Sequence, residues 1–280
     1  MTYQSFELKR LSGAIGAELV GIDLSRDLTN RQFDEIHQAF LDHLVIFFRE
    51  QALAPGRQVA LARRFGRPMV FAFAKGMDGA REITEIVKTP DQTKSFGDMW
   101  HSDSCYLAEP PMATMLYALE TPPVGGDTMF ASACMAYDAL SDGMKAMLAP
   151  MRVVFSSALK SEGGRAANMA QRGAMTATNM DKAEAYEAVH PLVRVHPETG
   201  RKALYVNTHH AVRFDGMTEE ESRPLMSWLC QHIARPEFTC RFRWTPGALA
   251  LWDNRAAQHF AINDYHGHRR HMRRITIAAA

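Results

Sequence analysis

Two histidines and one aspartate are the residues of this chain whose types and spacing indicate chemistry. His101 and Asp103 are separated by one serine, and His259 follows much later in the sequence. Two imidazoles and one carboxylate can occupy one face of an octahedral metal ion and leave the opposite face open, which is the ligand set of non-haem Fe(II) oxygenases. The three side chains therefore predict an iron site with open positions for dioxygen and a chelating co-substrate.

The tripeptide His-Ser-Asp is weak evidence when it stands alone, because His-x-Asp occurs by chance and the chain has 12 histidines. Arg270 and Arg274 follow His259 closely, in a stretch from 269 to 274 where every residue except Met272 is Arg or His. By itself such a stretch indicates a solvated basic surface. Beside a metal site the same guanidinium groups are suited to a two-point ion pair with a carboxylate, so both interpretations stay open at this level.

The elements that must position these side chains are mostly short strands. Apolar runs and apolar alternation predict strands at residues 44–48, 112–119, 128–132, 238–244, 248–252 and 274–278. Helical spacing and capping residues predict helices at 29–41, 57–65, 136–148 and 218–234. Residues 75–99 and 163–181 show little periodicity and are predicted to be irregular, the first as a long loop leading into the metal motif.

This pattern of elements predicts a mainly β fold with added helices (α+β), built around a double-stranded β-helix or jelly-roll core. The mouth of such a barrel is a place where ligands from distant strands can converge. No repeat, low-complexity tract or linker divides the sequence, so residues 1–280 are predicted to form a single domain.

Composition and charge argue against several classes of partner. The net charge of +1 gives no reason to expect nucleic acid or an anionic membrane. The first residues contain no apolar core of a secretory signal, and the most apolar run, residues 44–48, is far too short to span a bilayer. The four cysteines form no C-x-x-C pair, which favours reduced, buried thiols. We therefore expect a cytoplasmic protein with no nucleic-acid or membrane partner.

Several motifs occur in the order found in a known family. They are residues 100–103 (Trp-His-Ser-Asp), 125–132 (Gly-Gly-Asp-Thr-Met-Phe-Ala-Ser), 189–201, 203–207, 252–259 (Trp-Asp-Asn-Arg-Ala-Ala-Gln-His) and 269–276, with scattered matches at 16–24 and 62–66. In these motifs the chain resembles the taurine dioxygenase-like family of Fe(II)/2-oxoglutarate-dependent dioxygenases. The resemblance extends over nearly the whole chain.

The resemblance implies a role for each motif residue. His101, Asp103 and His259 would bind Fe(II), and Arg270 would form a two-point ion pair with the distal carboxylate of the co-substrate 2-oxoglutarate. Thr128 would add a hydroxyl hydrogen bond to that carboxylate. In the implied reaction O2 and 2-oxoglutarate yield succinate and CO2 while a substrate C–H bond is hydroxylated. The carboxylate ligand Asp103 argues against halogenation, which needs that ligand absent.

The chain departs from the taurine-cleaving members at positions that contact the primary substrate. Phe71 and Ala74 stand where those enzymes have a histidine and a tyrosine, and Gly97 stands where they have an asparagine. His210 replaces an aromatic wall residue. These changes remove polar partners for a small zwitterion, so taurine itself is not the expected substrate.

The expected substrate is a small organic anion that is more apolar than taurine. Arg274 matches the family position that pairs with the anionic group, and Phe71, Tyr106 and His210 are predicted to contact the rest of the molecule. Aryloxyalkanoates and alkyl sulfates are examples of such anions. The resemblance also implies a homodimer or a homotetramer.

Two functions of other classes remain as alternatives. A metal-dependent hydrolase or lyase could use the same three ligands around zinc or manganese, but it would leave Thr128 and Arg270 without a purpose. A non-catalytic jelly-roll binding module would have no need to keep all three ligands. Dependence of turnover on O2 and 2-oxoglutarate separates these alternatives from the dioxygenase.

Overall fold

The structure is a computed structural model that describes residues 3–158, 175 and 186–279 of the chain. The segment 163–181, predicted to be irregular, lies outside these residues except for residue 175. Within the described part the α-helices are α1 (Asn30–His43), α2 (Pro55–Phe65), α3 (Ala133–Asp138), α4 (Asp142–Leu148) and α5 (Glu219–Ile233), and a 3-10 helix spans Pro236–Phe238.

Short strands make up most of the remaining regular structure. They are β1 (Glu7–Arg10), β2 (Ala17–Val20), β3 (Val45–Phe48), β4 (Arg67–Met69), β5 (Gly76–Met77), β6 (Ala80–Lys88), β7 (Ala113–Glu120), β8 (Thr128–Ser132), β9 (Arg152–Ser156), β10 (Glu187–Pro191), β11 (Val193–Val195), β12 (Lys202–Leu204), β13 (Ala211–Phe214), β14 (Thr239–Phe242), β15 (Leu249–Asp253), β16 (Ala257–Ala261) and β17 (Arg270–Ala278).

Two sheets form the barrel that holds the predicted site. The larger has the order β1-β2-β3-β15-β7-β17-β6-β5, with β4 also paired to β17, and the smaller has the order β14-β8-β16. Aromatic side chains join their facing surfaces: Phe47 of the larger sheet stacks on Phe242 at 4.0 Å between ring centroids and meets Phe130 edge-on. Antiparallel strands arranged as two facing sheets are a jelly roll, so the predicted fold class is confirmed.

Helices α1 and α2 cover the other face of the larger sheet. Ile36 and Phe40 of α1 are almost completely buried in a cluster that also includes Ile275 of β17. Helix α1 begins at a capping box, as predicted: the Thr29 side chain accepts from the Gln32 backbone N–H, and the Gln32 side chain accepts from the Thr29 backbone N–H. Such a cap contributes about 1 kcal/mol. None of the described helices combines the length and apolarity that crossing a bilayer demands.

Two predictions about local structure were wrong. Residues 75–99 are not one long loop, because β5 and the nine-residue β6 occupy most of their first half. Charged residues interrupt the apolar alternation of β6, and its pairing with β17 stabilises it instead. The single helix predicted at 136–148 is two helices, α3 and α4. Ser132 and Ser141 each cap one of them by accepting a backbone N–H.

The four cysteines are free and buried, as predicted. Loss of hydration on burial raises the pKa of Cys105 to about 12, so the thiol stays protonated at neutral pH. Its Sγ accepts a hydrogen bond from the Asn207 amide at 3.3 Å. Cys105 follows Asp103 closely in sequence, yet the lining of the two cavities at the metal cluster does not include it.

Candidate metal and co-substrate site

Backbone pairing brings the two predicted histidine ligands together. The His101 N–H donates to the His259 carbonyl at 3.1 Å, and the His259 N–H donates to the His101 carbonyl at 2.9 Å. His259 lies in β16, while His101 forms an isolated antiparallel bridge outside the named strands. Side chains of a directly opposed pair leave the backbone on the same side. The two imidazole centroids are therefore only 4.1 Å apart.

Asp103 reaches the histidines from a turn. Asp103 lies in a turn, and the next residue, Ser104, has φ 46°. The Thr114 hydroxyl donates to Asp103 Oδ2 at 2.5 Å. The side chain of Asn254 supports both partners, since its amide donates to Thr114 Oγ1 at 2.9 Å and its oxygen lies 3.3 Å from the Asp103 N–H. These hydrogen bonds hold the Asp103 carboxylate in place, although Asp103 does not lie in a strand.

The three side chains fit a metal ion. One potential ligand atom from each of His101, Asp103 and His259 lies within 4.8 Å of the others, and all three residues are buried. His101 Nδ1 lies 2.7 Å from the Met99 carbonyl, so this nitrogen carries the ring proton and Nε2 keeps the lone pair that a metal requires. Two neutral nitrogens and one carboxylate are a donor set suited to Fe(II).

The electrostatics of the cluster keep the ligands in their metal-binding protonation states. Burial acts to raise the pKa of Asp103, but the Arg274 guanidinium and the two histidines outweigh it and hold the pKa well below its usual range. Arg274 Nη2 lies 2.6 Å from Asp103 Oδ1. Burial, assisted by His101, lowers the pKa of His259 well below its usual value. The carboxylate is thus ionised and His259 is neutral at physiological pH.

On one side of the cluster a cavity contains the two residues predicted to bind 2-oxoglutarate, Thr128 and Arg270. Trp244 contacts both Thr128 and Arg270. Its indole N–H donates to Thr128 Oγ1 at 2.9 Å, and the Arg270 guanidinium lies 5.7 Å from the Trp244 ring centroid. Because the Thr128 hydroxyl already accepts from Trp244, its own proton remains available for a ligand oxygen.

Arg270 is a buried cation without a carboxylate partner among the described residues. It is 6% exposed, and its Nε has no hydrogen-bond partner there. Burial lowers the pKa of Arg270, while Tyr265 and Asp127 act to raise it. A buried guanidinium is costly unless it is paired, and a carboxylate is the geometric match for its planar N–H groups. The cavity thus fits one carboxylate of a small dicarboxylate.

A second cavity at the cluster contains the predicted substrate residues. Phe71, Tyr106, His210 and Arg274 all line it. Tyr106 meets the His210 ring edge-on at 4.9 Å, and the Arg274 guanidinium lies 5.2 Å from the Phe71 ring centroid. One guanidinium therefore faces an aromatic wall immediately beside the metal ligands.

Gly97 keeps space open between the two cavities, both of which it lines. A Cβ at this position would lie 3.2 Å from His101 Cε1, and the backbone has φ +81°. Both the close approach and the positive φ favour glycine. The departure from asparagine noted in the sequence therefore removes a side chain from the immediate surroundings of the metal cluster.

Sequence reasoning missed the residues that orient the ligands. Trp244 was assigned only to a strand, Thr114 carried no signal, and Asn254 was quoted within a motif without a role. Trp244 and Asn254 act through hydrogen bonds between residues more than a hundred positions apart, whereas Thr114 lies 11 positions from Asp103. Only the Trp-Asp-Asn tripeptide before His259 could have identified Asn254, since it lies in the same motif as the ligand.

Comparisons with known proteins agree with this geometry. The family model "Taurine catabolism dioxygenase TauD, TfdA family" matches residues 7–276. An alkylsulfatase of Acinetobacter baylyi is 35% identical over 98% of this chain and 86% of its own length. An alpha-ketoglutarate-dependent sulfate ester dioxygenase of Pseudomonas putida is 34% identical over 96% of this chain and 88% of its own. A solved structure described as a putative alpha-ketoglutarate-dependent taurine dioxygenase from Burkholderia xenovorans superposes with a TM-score of 0.83 at 34% identity, covering 99% of this chain and 93% of that one.

The chain belongs to the TauD/TfdA family of dioxygenases. It is therefore an oxidoreductase of the non-haem type, with Fe(II), 2-oxoglutarate and O2 as cofactor and co-substrates. This confirms the predicted reaction class and the predicted cofactors. The family match disfavours the hydrolase, and the three-residue cluster disfavours the non-catalytic binding module.

Proposed function

We propose that this enzyme hydroxylates the carbon next to the ester oxygen of an apolar alkyl sulfate, which then separates into an aldehyde and sulfate. The observation that carries the proposal is the buried Arg274, which lies between the metal cluster and the Phe71 ring. A guanidinium pairs with a sulfate oxygen, and an aromatic wall favours an alkyl chain over an ammonium group. Two relatives with names that refer to sulfate esters support the same class.

In the proposed site the residues have separate tasks. His101, Asp103 and His259 hold Fe(II), which when bound supplies oxygen activation coupled to the conversion of 2-oxoglutarate into succinate and CO2. Arg270 and Thr128 bind the distal carboxylate of 2-oxoglutarate and so orient its other end towards the cluster. The burial and convergence of the side chains support each of these roles.

Arg274 and the aromatic residues would orient the primary substrate. Arg274 uses one nitrogen for Asp103, and its remaining N–H groups are available for the anionic head of the substrate. Phe71, Tyr106 and His210 would contact the chain and exclude water from the reacting carbon. An anionic head held at Arg274 would present the C–H bond next to the ester oxygen to the metal cluster, which lies beside Arg274.

The atoms and electrons of the proposed reaction balance with O2, 2-oxoglutarate and the alkyl sulfate as the reactants. O2 supplies one oxygen atom to succinate and one to the substrate carbon. Two of the electrons that reduce O2 come from the oxidative loss of CO2 from 2-oxoglutarate. The hydroxylated carbon bears both a hydroxyl and a sulfate ester. It loses sulfate as its hydroxyl proton leaves, which yields an aldehyde rather than an alcohol.

The proposal is tested by a substrate panel with Fe(II), 2-oxoglutarate and O2. The panel contains hexyl sulfate, hexanesulfonate, phenoxyacetate and taurine, and succinate is measured together with the organic product and sulfate. We expect hexyl sulfate to yield hexanal, sulfate and succinate in equal amounts, with the highest kcat/KM of the panel. Phenoxyacetate as the best substrate, with release of phenol, would instead assign an aryloxyalkanoate.

The same panel distinguishes the hydrolase alternative. A sulfate hydrolase would release hexanol without O2 or 2-oxoglutarate, and its rate would not change in an anaerobic chamber. Turnover of hexyl sulfate to hexanol under those conditions would overturn the dioxygenase assignment for this chain.

A further inference from the structure

Lys88 is a buried lysine beside the co-substrate cavity. It is the last residue of β6 and lies directly opposite Arg270 of β17 in the antiparallel register. Opposed residues of an antiparallel pair present their side chains on the same face of the sheet. Lys88 also shares a face with Ile86, two residues earlier, which lines the cavity. The lysine therefore points to the cavity side of the sheet, as a cross-strand neighbour of Arg270.

The Lys88 ammonium is enclosed without a hydrogen-bond partner. The residue is 2% exposed, and its Nζ is buried with no partner among the described residues. It lies 4.4 Å from the ring centroid of Tyr265. Burial lowers the pKa of Lys88, and the exposed Asp91 opposes this effect. A cation–π contact contributes only part of what an ammonium loses on leaving water.

Tyr265 links this lysine to Arg270. A Cβ on Gly126 would lie 3.2 Å from Tyr265 Cδ1 and 3.4 Å from Arg270 Cδ, so both side chains pack against the same glycine. Lys88 and Arg270 are thus two buried cations on neighbouring strands, and Arg270 lines the cavity while the Lys88 ammonium lies over Tyr265 beside it. Two neighbouring cations repel each other in a protein interior unless an anion lies near both.

We propose that Lys88 is a second cation of the co-substrate site, and that with Arg270 it binds the distal carboxylate of a 2-oxo dicarboxylate. The inference rests on the proposed function, because it takes the cavity beside Arg270 as the 2-oxoglutarate site. The second cation would make the site selective for dicarboxylates over 2-oxo monocarboxylates. It would also make the ligand-free protein less stable than an uncharged side chain would, since the ammonium is unpaired in that state.

The test compares two co-substrate analogues in protein loaded with Mn(II) under anaerobic conditions. Titration calorimetry measures the Kd of 2-oxoglutarate and of 2-oxopentanoate, which carries a methyl group in place of the distal carboxylate. The variants are Lys88→Met, Lys88→Arg and the exposed-lysine control Lys9→Met. We expect Lys88→Met to weaken 2-oxoglutarate binding by roughly tenfold or more and to leave 2-oxopentanoate unchanged. Lys88→Arg should restore part of the loss.

A second readout needs neither metal nor turnover. In metal-free protein, Lys88→Met should raise the Tm, and glutarate should raise the Tm of the variant less than that of the wild type. Equal 2-oxoglutarate affinity in Lys88→Met and wild type would overturn the inference and leave the proposed function intact. Equal weakening of both acids, with a lower Tm, would assign Lys88 a structural role. If the wild type itself does not bind 2-oxoglutarate, the proposed function is wrong.

Discussion

At the scale of single residues, the metal cluster depends on side chains whose protonation is set by their surroundings. The Met99 carbonyl fixes the protonation of His101, Thr114 and Arg274 that of Asp103, and mainly burial that of His259. Loss of any one ligand leaves two donors, which bind Fe(II) far more weakly. The ligand roles can therefore be tested one residue at a time.

The first prediction concerns His259. His259→Gln should lose Fe(II) binding and succinate formation, because the amide is a much poorer ligand than a neutral imidazole. His190→Gln is the matched control, since His190 is also buried but its Nε2 pairs with the Leu107 carbonyl, away from the cluster. Metal content after dialysis and succinate yield are the measurements. Wild-type metal content in His259→Gln would contradict the ligand assignment.

The second prediction separates the two buried arginines. Arg270→Met should raise the Kd of 2-oxoglutarate by roughly a hundredfold, because one partner of a buried ion pair is lost. Arg274→Met should instead weaken binding of the sulfate substrate and leave 2-oxoglutarate affinity nearly intact. Arg269→Met, which removes an exposed arginine paired with Glu120, is the control. Equal effects of Arg270→Met and Arg274→Met on both ligands would refute the division of roles.

At the scale of elements, the connection between β15 and β16 positions His259. Asp253 at the end of β15 accepts from Arg255 Nη2 at 2.6 Å and from His196 Nε2 at 2.8 Å. The His196 Nδ1 accepts from the backbone N–H groups of Glu198 and Thr199, so the ring proton lies on Nε2 and points at Asp253. This buried network of charged groups thus anchors the turn that connects β15 to β16, the strand that contains His259.

The third prediction concerns the pH dependence of this network. Burial opposes ionisation of Asp253, but Arg255 and His196 hold its pKa below the usual value. With the folded pKa below an unfolded value of about 4, the carboxylate contributes its full stability above about pH 4 and loses it as the pH falls through the folded pKa. Asp253→Asn should lower the free energy of unfolding at pH 7 by about 3 kcal/mol.

Urea unfolding of wild type and Asp253→Asn between pH 7 and the lowest pH at which the wild type remains folded measures this effect. The difference between the two proteins should shrink below about pH 4. Asp215→Asn, which removes an exposed ion pair with Arg152, should cost less than about 1 kcal/mol throughout. A difference for Asp253→Asn that grows towards acid pH would contradict this account.

At the scale of the whole molecule, the larger sheet links two of the three buried apolar clusters found among the described residues. One of its faces packs on α1 and α2, and the other packs on the smaller sheet through Phe47, Phe130 and Phe242. The metal cluster draws on both sheets, because His259 belongs to the smaller one and Thr114, which holds Asp103, belongs to β7 of the larger. Unfolding either sheet would therefore dismantle the site.

The fourth prediction follows from this shared sheet. Residues 1–280 should unfold as one cooperative unit, with a calorimetric enthalpy equal to the van't Hoff enthalpy. Differential scanning calorimetry of the metal-free protein makes the measurement. Two resolved transitions would show that the chain contains more than one domain.

The fifth prediction concerns assembly. The resemblance noted in the sequence implies a homodimer or a homotetramer. Light scattering after size-exclusion chromatography should give a mass two or four times the 31.4 kDa of the chain. A mass of one chain at micromolar concentration would refute this expectation.

Local patterns in the sequence were enough to predict the helices and strands whose formation depends on residues nearby in the chain. The capping box of α1 and the apolar runs of β3, β7 and β15 have their causes within a few residues, so their positions could be predicted. The three candidate ligands were also identified from the sequence, because only Ser102 separates His101 from Asp103 and the family motifs supplied His259. Side-chain chemistry favours iron at these three residues, and the family resemblance supplied the carboxylate co-substrate.

Tertiary structure decided how these residues meet. The backbone pairing of His101 with His259, the bond from Trp244 to Thr128 and the register that sets Lys88 opposite Arg270 all join distant segments. Strand β6 also depends on a distant segment, because its pairing with β17 stabilises a sequence whose own periodicity is weak. Cross-strand pairing depends on which strands become neighbours, and nothing within a local window of sequence encodes that choice. The candidate ligands could therefore be predicted from the sequence, whereas the cavities around them are a property of the folded sheets.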